Sequence, residues 1–367
     1  MKLGVSALLA WAMTLCLAGV SRAEIPIAVA GPMKGQFGIF GAQMIAGARQ
    51  AVQDINSAGG VNGQALTLET ADDNCDGDQA NAVANQLIGK GVVFVAGHFC
   101  FVASVAASRV YANAGIIQIS PATTLPGFTD DRPGKGIYRL APRDDAQAEA
   151  AAAFLAENFQ ASDIAILHDK TAYGKGLTDA VKERLNDLDI IESFALGFDA
   201  GEDDYRYLVS QLALEGADVV YLGAYPPEAG LIKLEMARQI PNVVLMGADA
   251  LVSEEFWSTA GEAANGTVLT YPEFLTEVPE AAALMRSLED QDAVAERYFL
   301  STYAAVEAWA AAANRAGTTS FEEVVTELEQ ESVDTVLGPI TFNAVGDASR
   351  PGFAVYEWQD GALRRRQ

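Results

Sequence analysis

Few residues in this sequence are equipped for covalent chemistry. Two histidines occur, His98 and His168, each at the end of a segment that reads as a strand. Neither stands in a nucleophile motif, so both read as structural. G-x-S-x-G, H-E-x-x-H, the P-loop pattern and a spaced cysteine and histidine metal set are absent. Asp72, Asn74, Asp76, Gly77 and Asp78 match the first half of a calcium loop, but Val83 occupies the place of its bidentate Glu, and no metal is expected. Gly174-Lys175-Gly176 lacks the glycine spacing of a nucleotide motif and reads as a helix start.

The remaining candidates suit binding. Phe40 lies near the start of the first expected helix, Ser120-Pro121-Ala122-Thr123-Thr124 follow a strand, and Tyr225 and Asp249 follow strands further on. Backbone N–H groups at helix starts and threonine hydroxyls suit a carboxylate. A lone carboxylate side chain suits an ammonium, and aromatic rings cover an apolar tail. A small zwitterion would satisfy all three.

The elements that must carry these residues alternate in period. Short β-branched runs at 25–29, 65–70, 92–96 and 116–120 are separated by segments of helical spacing at 41–56, 79–89 and 104–114. After a Gly/Pro-rich stretch at 126–136 and a strand at 137–140 the alternation restarts. Helices are expected at 145–158, 174–186, 204–215 and 228–239, and strands at 164–168, 190–196, 219–222 and 243–246. That is an α/β protein with two Rossmann-like lobes and a cleft between them. Small ligands in open α/β sheets bind beyond the carboxyl ends of the strands, where the loops named above lie. The tail departs from the pattern, with helices at 279–290, 295–316 and 320–332 and strands at 339–342 and 353–358, and is expected to pack on both lobes.

Composition adds an address. Lys2, an apolar stretch from Val5 to Val20, and Ser21 and Ala23 form the three parts of a cleavable signal peptide over residues 1–23, with cleavage after Ala23. Cys16 follows Leu15 inside the apolar run, which does not suit a lipid-modification site. The net charge is −25 for all 367 residues and becomes −27 once Lys2 and Arg22 leave with the signal. Such an acidic chain argues against nucleic acid and anionic membranes as partners. The two remaining cysteines, Cys75 and Cys100, make an even count in an oxidising compartment and are expected to form a disulfide.

The sequence resembles the periplasmic leucine/isoleucine/valine-binding proteins along nearly its whole mature length. The resemblance is carried by Gly47-Ala48-Arg49-Gln50-Ala51-Val52 with Asp54-Ile55-Asn56, by Asp72-Asp73 before Cys75-Asp76, and by Gly97-His98 before Cys100. Ser120-Pro121 with Thr124, His168-Asp169-Lys170 with Tyr173-Gly174, and Ser301-Thr302-Tyr303-Ala304-Ala305-Val306 extend it.

It implies the type I periplasmic binding fold, with the lobes joined by a three-strand hinge near Pro142, Tyr271 and Gly338. One lobe would be 24–142 plus 272–338 and the other 143–271 plus 339–367. It also implies a monomeric receptor without cofactor that closes on an amino acid or analogue and delivers it to the permease subunits of an ABC importer. A ligand sensor on the same fold is the alternative. Carried over by position, the α-carboxylate and α-amino contacts fall on the loop after Cys100, on Ala122 and Thr124, and on Asp249. The aromatic contacts fall on Phe40, Tyr173 and Tyr225, and an acidic contact falls on Asp144 or Asp145. One position departs from the family: Phe101 follows Cys100 where a small hydroxyl residue usually bonds the carboxylate.

Overall fold

The computed structural model describes residues 23–160, 162–272, 278–288, 297–349 and 352–366. The signal segment, apart from Ala23, lies outside the described residues, as do the ends of the helices expected at 279–290 and 295–316.

Strands β1 (Ile25–Gly31), β2 (Leu66–Asp72), β3 (Phe94–Gly97), β4 (Ile117–Ser120) and β5 (Ile137–Arg139) form a parallel sheet in the order β2-β1-β3-β4-β5. Every residue of β3 and β4 is buried, as a parallel sheet covered on both faces requires. Helices α1 (Gly38–Ser57), α2 (Gly77–Gly89), α3 (Phe101–Ala114) and the short α4 (Gly127–Asp130) connect these strands. Asp76 caps α2 by accepting the Gln79 N–H at 2.8 Å. Gly115, at φ 66°, ends α3 in the left-handed conformation.

The second sheet contains β6 (Ile164–His168), β7 (Phe194–Gly197), β8 (Val219–Gly223), β9 (Val244–Gly247) and β10 (Val268–Pro272), ordered β7-β6-β8-β9-β10 and parallel. Its helices are α5 (Asp144–Phe159), α6 (Ala172–Asp187), α7 (Arg206–Glu215), α8 (Pro226–Gln239) and α9 (Glu254–Ala260). The tail adds α10 (Pro279–Leu288), α11 (Arg297–Ala316), α12 (Phe321–Gln330) and a small hairpin of β11 (Val333–Thr335) with β12 (Gly338–Ile340). The chain then extends the second sheet with antiparallel β13 (Phe353–Gln359) and β14 (Ala362–Arg365). The tail does pack on both halves, as expected.

Each sheet is covered on both faces. Trp309 of α11 stacks on Phe94 with centroids 5.1 Å apart, in a core that α1, α11 and α12 build on one face of the first sheet. The α2 and α3 side chains cover the other face. Gly47 lets α1 meet α11 at backbone distance, since a Cβ there would stand 2.2 Å from the Phe299 carbonyl oxygen. Glu307, inside the alanine-rich α11, accepts the Val336 N–H at 2.6 Å. Burial pushes its carboxyl up to about 7. Among the described residues no helix is long and apolar enough to cross a membrane.

One strand begins later than its apolar run suggests. Asp189, at φ 58°, turns the chain out of α6, and the Ile190 N–H bonds back to Leu185 O at 2.9 Å. Ile190 therefore caps the helix with a buried side chain, and pairing with β6 starts only at Phe194. The strand β10 ends at the Tyr271 region that the sequence marks as a hinge crossing.

A buried guanidinium ties the tail to the first sheet. Arg139 at the end of β5 is fully buried and donates Nε to Asp347 Oδ1 at 2.6 Å. Its Nη1 donates to Thr124 O at 2.9 Å and Leu125 O at 2.7 Å. Arg143 and Thr129 also bond Asp347, at 3.1 and 2.6 Å. Burial pushes the Asp347 carboxyl up, but the Thr129 hydroxyl and the two arginines outweigh it and hold it below the usual range. Removing one partner of a buried pair strands the other charge. Asp347→Ala should therefore lower unfolding stability by about 3 to 5 kcal/mol in urea titration. Asp179→Ala, which breaks the exposed Lys175–Asp179 pair, should shift the midpoint by no more than the scatter of the measurement.

Candidate functional site

The loops after the carboxyl ends of both sheets meet around a narrow, partly open pocket that spans about 350 Å³ counted with the solvent space it shares, of which about 20 Å³ is free volume. Phe99 and Phe101 come from the β3–α3 junction, and Ala122, Thr123, Thr124 and Leu125 from the loop after β4. Tyr173 comes from the first turn of α6, Tyr225 caps α8, Asp249 follows β9, and Tyr298 opens α11. A more open pocket of about 500 Å³ shares Phe101, Tyr173 and Tyr225, and adds Phe37, Thr171 and both cysteines.

Local chemistry explains why each loop stands where it does. Cys75 and Cys100 form a disulfide with Cα atoms 5.3 Å apart, tying the start of α3 to the turn before α2. Ser120 accepts the Thr123 N–H at 2.9 Å and donates to His98 O at 2.8 Å, which curls the loop after β4 against the loop after β3. Thr123 and Ser104 hydroxyls lie 2.6 Å apart, locking that loop to α3. On the opposite wall, Thr171 caps α6 by accepting the Gly174 N–H at 3.0 Å. Gly174 is needed there because a Cβ would stand 2.3 Å from Asp169 Oδ1 and 2.4 Å from Gly223 O.

The lining is rich in aromatic rings. Tyr173 and Tyr225 rings lie 5.1 Å apart, Phe99 meets Tyr298 edge-on at 4.9 Å, and Phe37 meets Tyr225 edge-on at 4.8 Å. Burial holds the phenols of Tyr173 and Tyr225 well above their ordinary range, reinforced at both by the neighbouring Asp144 carboxylate, so both remain hydrogen-bond donors. The two halves also touch beside the cavity, where Gln36 Nε2 donates to Glu228 Oε1 at 2.8 Å.

Of the residues singled out in the sequence, Phe101, Ala122, Thr124, Tyr173, Tyr225 and Asp249 line the cavity. Phe40 lies one layer behind it, buried and stacked on Phe99 at 4.9 Å. Asp145 faces outward and binds Arg143 at 2.8 Å. Asp144 is 1 % exposed, its backbone N–H bonded to Thr124 O at 3.0 Å. Among the described residues neither of its carboxylate oxygens has a partner within hydrogen-bond geometry, although the Thr124 side chain stands near it. Burial pushes this carboxyl up to about 7, with the Thr124 side chain and the charges of Arg139 and Arg297 pulling part of the way back.

Asp249 stands in a setting the sequence did not suggest. Tyr173 donates its hydroxyl to Asp249 Oδ1 at 2.8 Å, and Arg297 Nη1 donates to Oδ2. Arg297 is buried, with its guanidinium 5.1 Å from the Tyr298 ring centre. One clue was available: the helix expected at 295–316 puts Arg297 in its first turn, where a cation opposes the helix dipole and needs an anion elsewhere. Phe99 and Tyr298 carried no comparable signal, because each reads as core.

The remaining sequence candidates settle into structural roles. His98 Nδ1 lies 2.6 Å from Asp73 Oδ2 and Nε2 lies 3.1 Å from the Tyr111 hydroxyl, all buried. His168 Nδ1 accepts the Lys170 N–H at 3.1 Å. In the calcium-like string, Asp72 Oδ1 accepts the Met33 and Asn74 N–H groups, while Asp76 caps α2. Among the described residues no group of His, Cys, Asp and Glu could hold a metal ion.

Asp144 makes the site sensitive to pH. Its folded-state pKa is raised, so its contribution to stability is complete below the unfolded carboxylate value and is lost as pH rises through about 7. Asp144→Asn should therefore gain stability relative to the parent protein as pH increases from about 4 to 8. Melting temperatures of the two proteins, compared across that range, test the sign.

Comparison with known proteins now adds to this geometry. Residues 24–362 match the family described as periplasmic binding protein. A Leu/Ile/Val-binding protein homolog from Brucella abortus is 38% identical over 95% of this chain and 94% of its own. The structure of a leucine-binding protein from Thermotoga maritima superposes with a TM-score of 0.82 at 23% identity, covering 94% of this chain and 98% of the other. A solute-binding protein of an ABC transporter from Rhodopseudomonas palustris, solved with p-hydroxybenzoic acid, also gives 0.82, at 18% identity and 94% and 96% coverage. At these identities the structural likeness speaks for the fold alone. The sequence match carries the assignment: this chain belongs to the periplasmic binding protein family, among relatives of the Leu/Ile/Val-binding type.

Proposed function

We propose that this protein captures a small carboxylate-bearing solute, an amino acid or an amino-acid-like molecule, between its two halves and delivers it to an ABC importer from the periplasm. The observation that carries the reading is the narrow pocket lined by loops from the ends of both sheets. A site split between two sheets binds best when they close on it, and binding then stabilises the closed arrangement. The aromatic rings supply apolar area, while buried hydroxyl and carboxylate groups set orientation.

The division into lobes belongs to the same proposal. The crossings are placed near Pro142, Tyr271 and Gly338. Export by the signal at 1–23, action as a monomer, and docking on permease subunits complete it. The absence of a nucleophile motif in the sequence supports binding rather than turnover.

A thermal-shift screen of amino acids, amides and small carboxylic acids tests capture. A bound ligand at about 100 times its Kd should stabilise the protein by about 2.7 kcal/mol. Tyr225→Ala should remove that shift while the unliganded protein still melts cooperatively. X-ray scattering should show a smaller radius of gyration with ligand than without. If no compound raises the melting temperature, the reading fails for this class of solute.

A further inference from the structure

Arg297, on α11, stands beside the cavity next to Asp249 and Tyr298, which line it. Asp249 Oδ2 accepts its Nη1, and the Tyr298 and Tyr271 rings flank the guanidinium at 5.1 and 6.0 Å. This pairing uses one end of the guanidinium. The other nitrogen, Nη2, is buried without a hydrogen-bond partner among the described residues. An unmet buried donor on a cation favours the arrival of an anion.

The charges around the cavity point the same way. Asp249, the acid on its wall, is neutralised by Arg297. Asp144, the nearby second acid, is buried and pushed up to about 7, so it is protonated about half of the time at neutral pH. Arg139, a second buried arginine, is already occupied by Asp347, Thr124 O and Leu125 O. An incoming ammonium would give up its water to meet a carboxylate whose field Arg297 cancels. An incoming carboxylate would meet an unused guanidinium N–H. Phe101 offers no hydroxyl to such a carboxylate, which leaves the guanidinium as the strong side-chain donor.

We propose that Arg297 determines ligand class: it neutralises Asp249 and binds the ligand carboxylate, so the cavity takes a small hydroxy or aromatic acid without an α-ammonium group in preference to a zwitterionic amino acid. The proposal rests on the solute-binding reading above and narrows it. Phe99, Tyr225 and Tyr298 supply the faces that cover the apolar part of such an acid.

Titration calorimetry at pH 7 on the mature chain tests this with leucine against 2-hydroxy-4-methylpentanoate, phenylalanine against 3-phenyllactate, and 4-hydroxybenzoate. At least one of the ammonium-free acids should bind, and a hydroxy acid should bind about tenfold or more tightly than its amino counterpart. Arg297→Gln should weaken that binding about tenfold or more, and Arg297→Lys should recover part of it. Asp249→Asn, which leaves the guanidinium in place and frees it, should keep or tighten the affinity. If an amino acid binds more tightly than its hydroxy counterpart, or Asp249→Asn abolishes binding, the ammonium sits on Asp249. The inference then falls while solute capture stands. If none of these compounds binds, both fall for small carboxylates. Asp249→Asn decides the matter even if Arg297→Gln does not fold.

Discussion

Much of this molecule hangs on the Arg139 guanidinium. It is fully buried, and its bonds reach the loop that forms one wall of the cavity and the tail segment that leads to the second sheet. A buried cation tolerates few arrangements, because each donor needs an acceptor in a medium that screens poorly. Carbonyls 124 and 125 and the Asp347 carboxylate must therefore stay where Arg139 needs them. The wall inherits its shape from that demand.

A second buried pair, Arg297 of α11 with Asp249 after β9, joins the two halves with a different outcome. Arg139 has acceptors around its whole fork, whereas Arg297 has one donor group engaged and another unmet. The first pair reads as scaffold and the second as site, although both are an arginine against an aspartate in a protein interior. What separates them is completeness of hydrogen bonding. Burial alone would not tell them apart.

The alternation of apolar runs and helical segments made both sheets legible before any coordinates, since the inner runs such as β3, β4 and β8 are buried on both faces and have no competing period. Loops after those strands were legible for the same reason, which is how Ala122, Thr124, Tyr225 and Asp249 could be named. Arg297 was not, because its partner lies 48 positions away and its helix reads as an ordinary apolar one. Arg139 and Asp347 are 208 positions apart, beyond the reach of any local pattern. At Ile190 the local signal pointed the other way: an apolar run usually marks a strand, but a left-handed Asp189 turned it into a helix cap.

The strand orders of the two sheets have a consequence for how a ligand is oriented. In each, the second strand is outermost, followed by the first, third, fourth and fifth, so the halves share one wiring through these five strands. Phe101, after the third strand of one half, answers Tyr225 after the third strand of the other. Thr124 and its neighbours answer Asp249 in the same way. Equivalent loops have thus been given unlike chemistry: hydroxyls and backbone on one side, a carboxylate on the other. A solute with distinct ends can settle between them in a single direction, and the polarity of the cavity comes from side chains laid over a framework that has none.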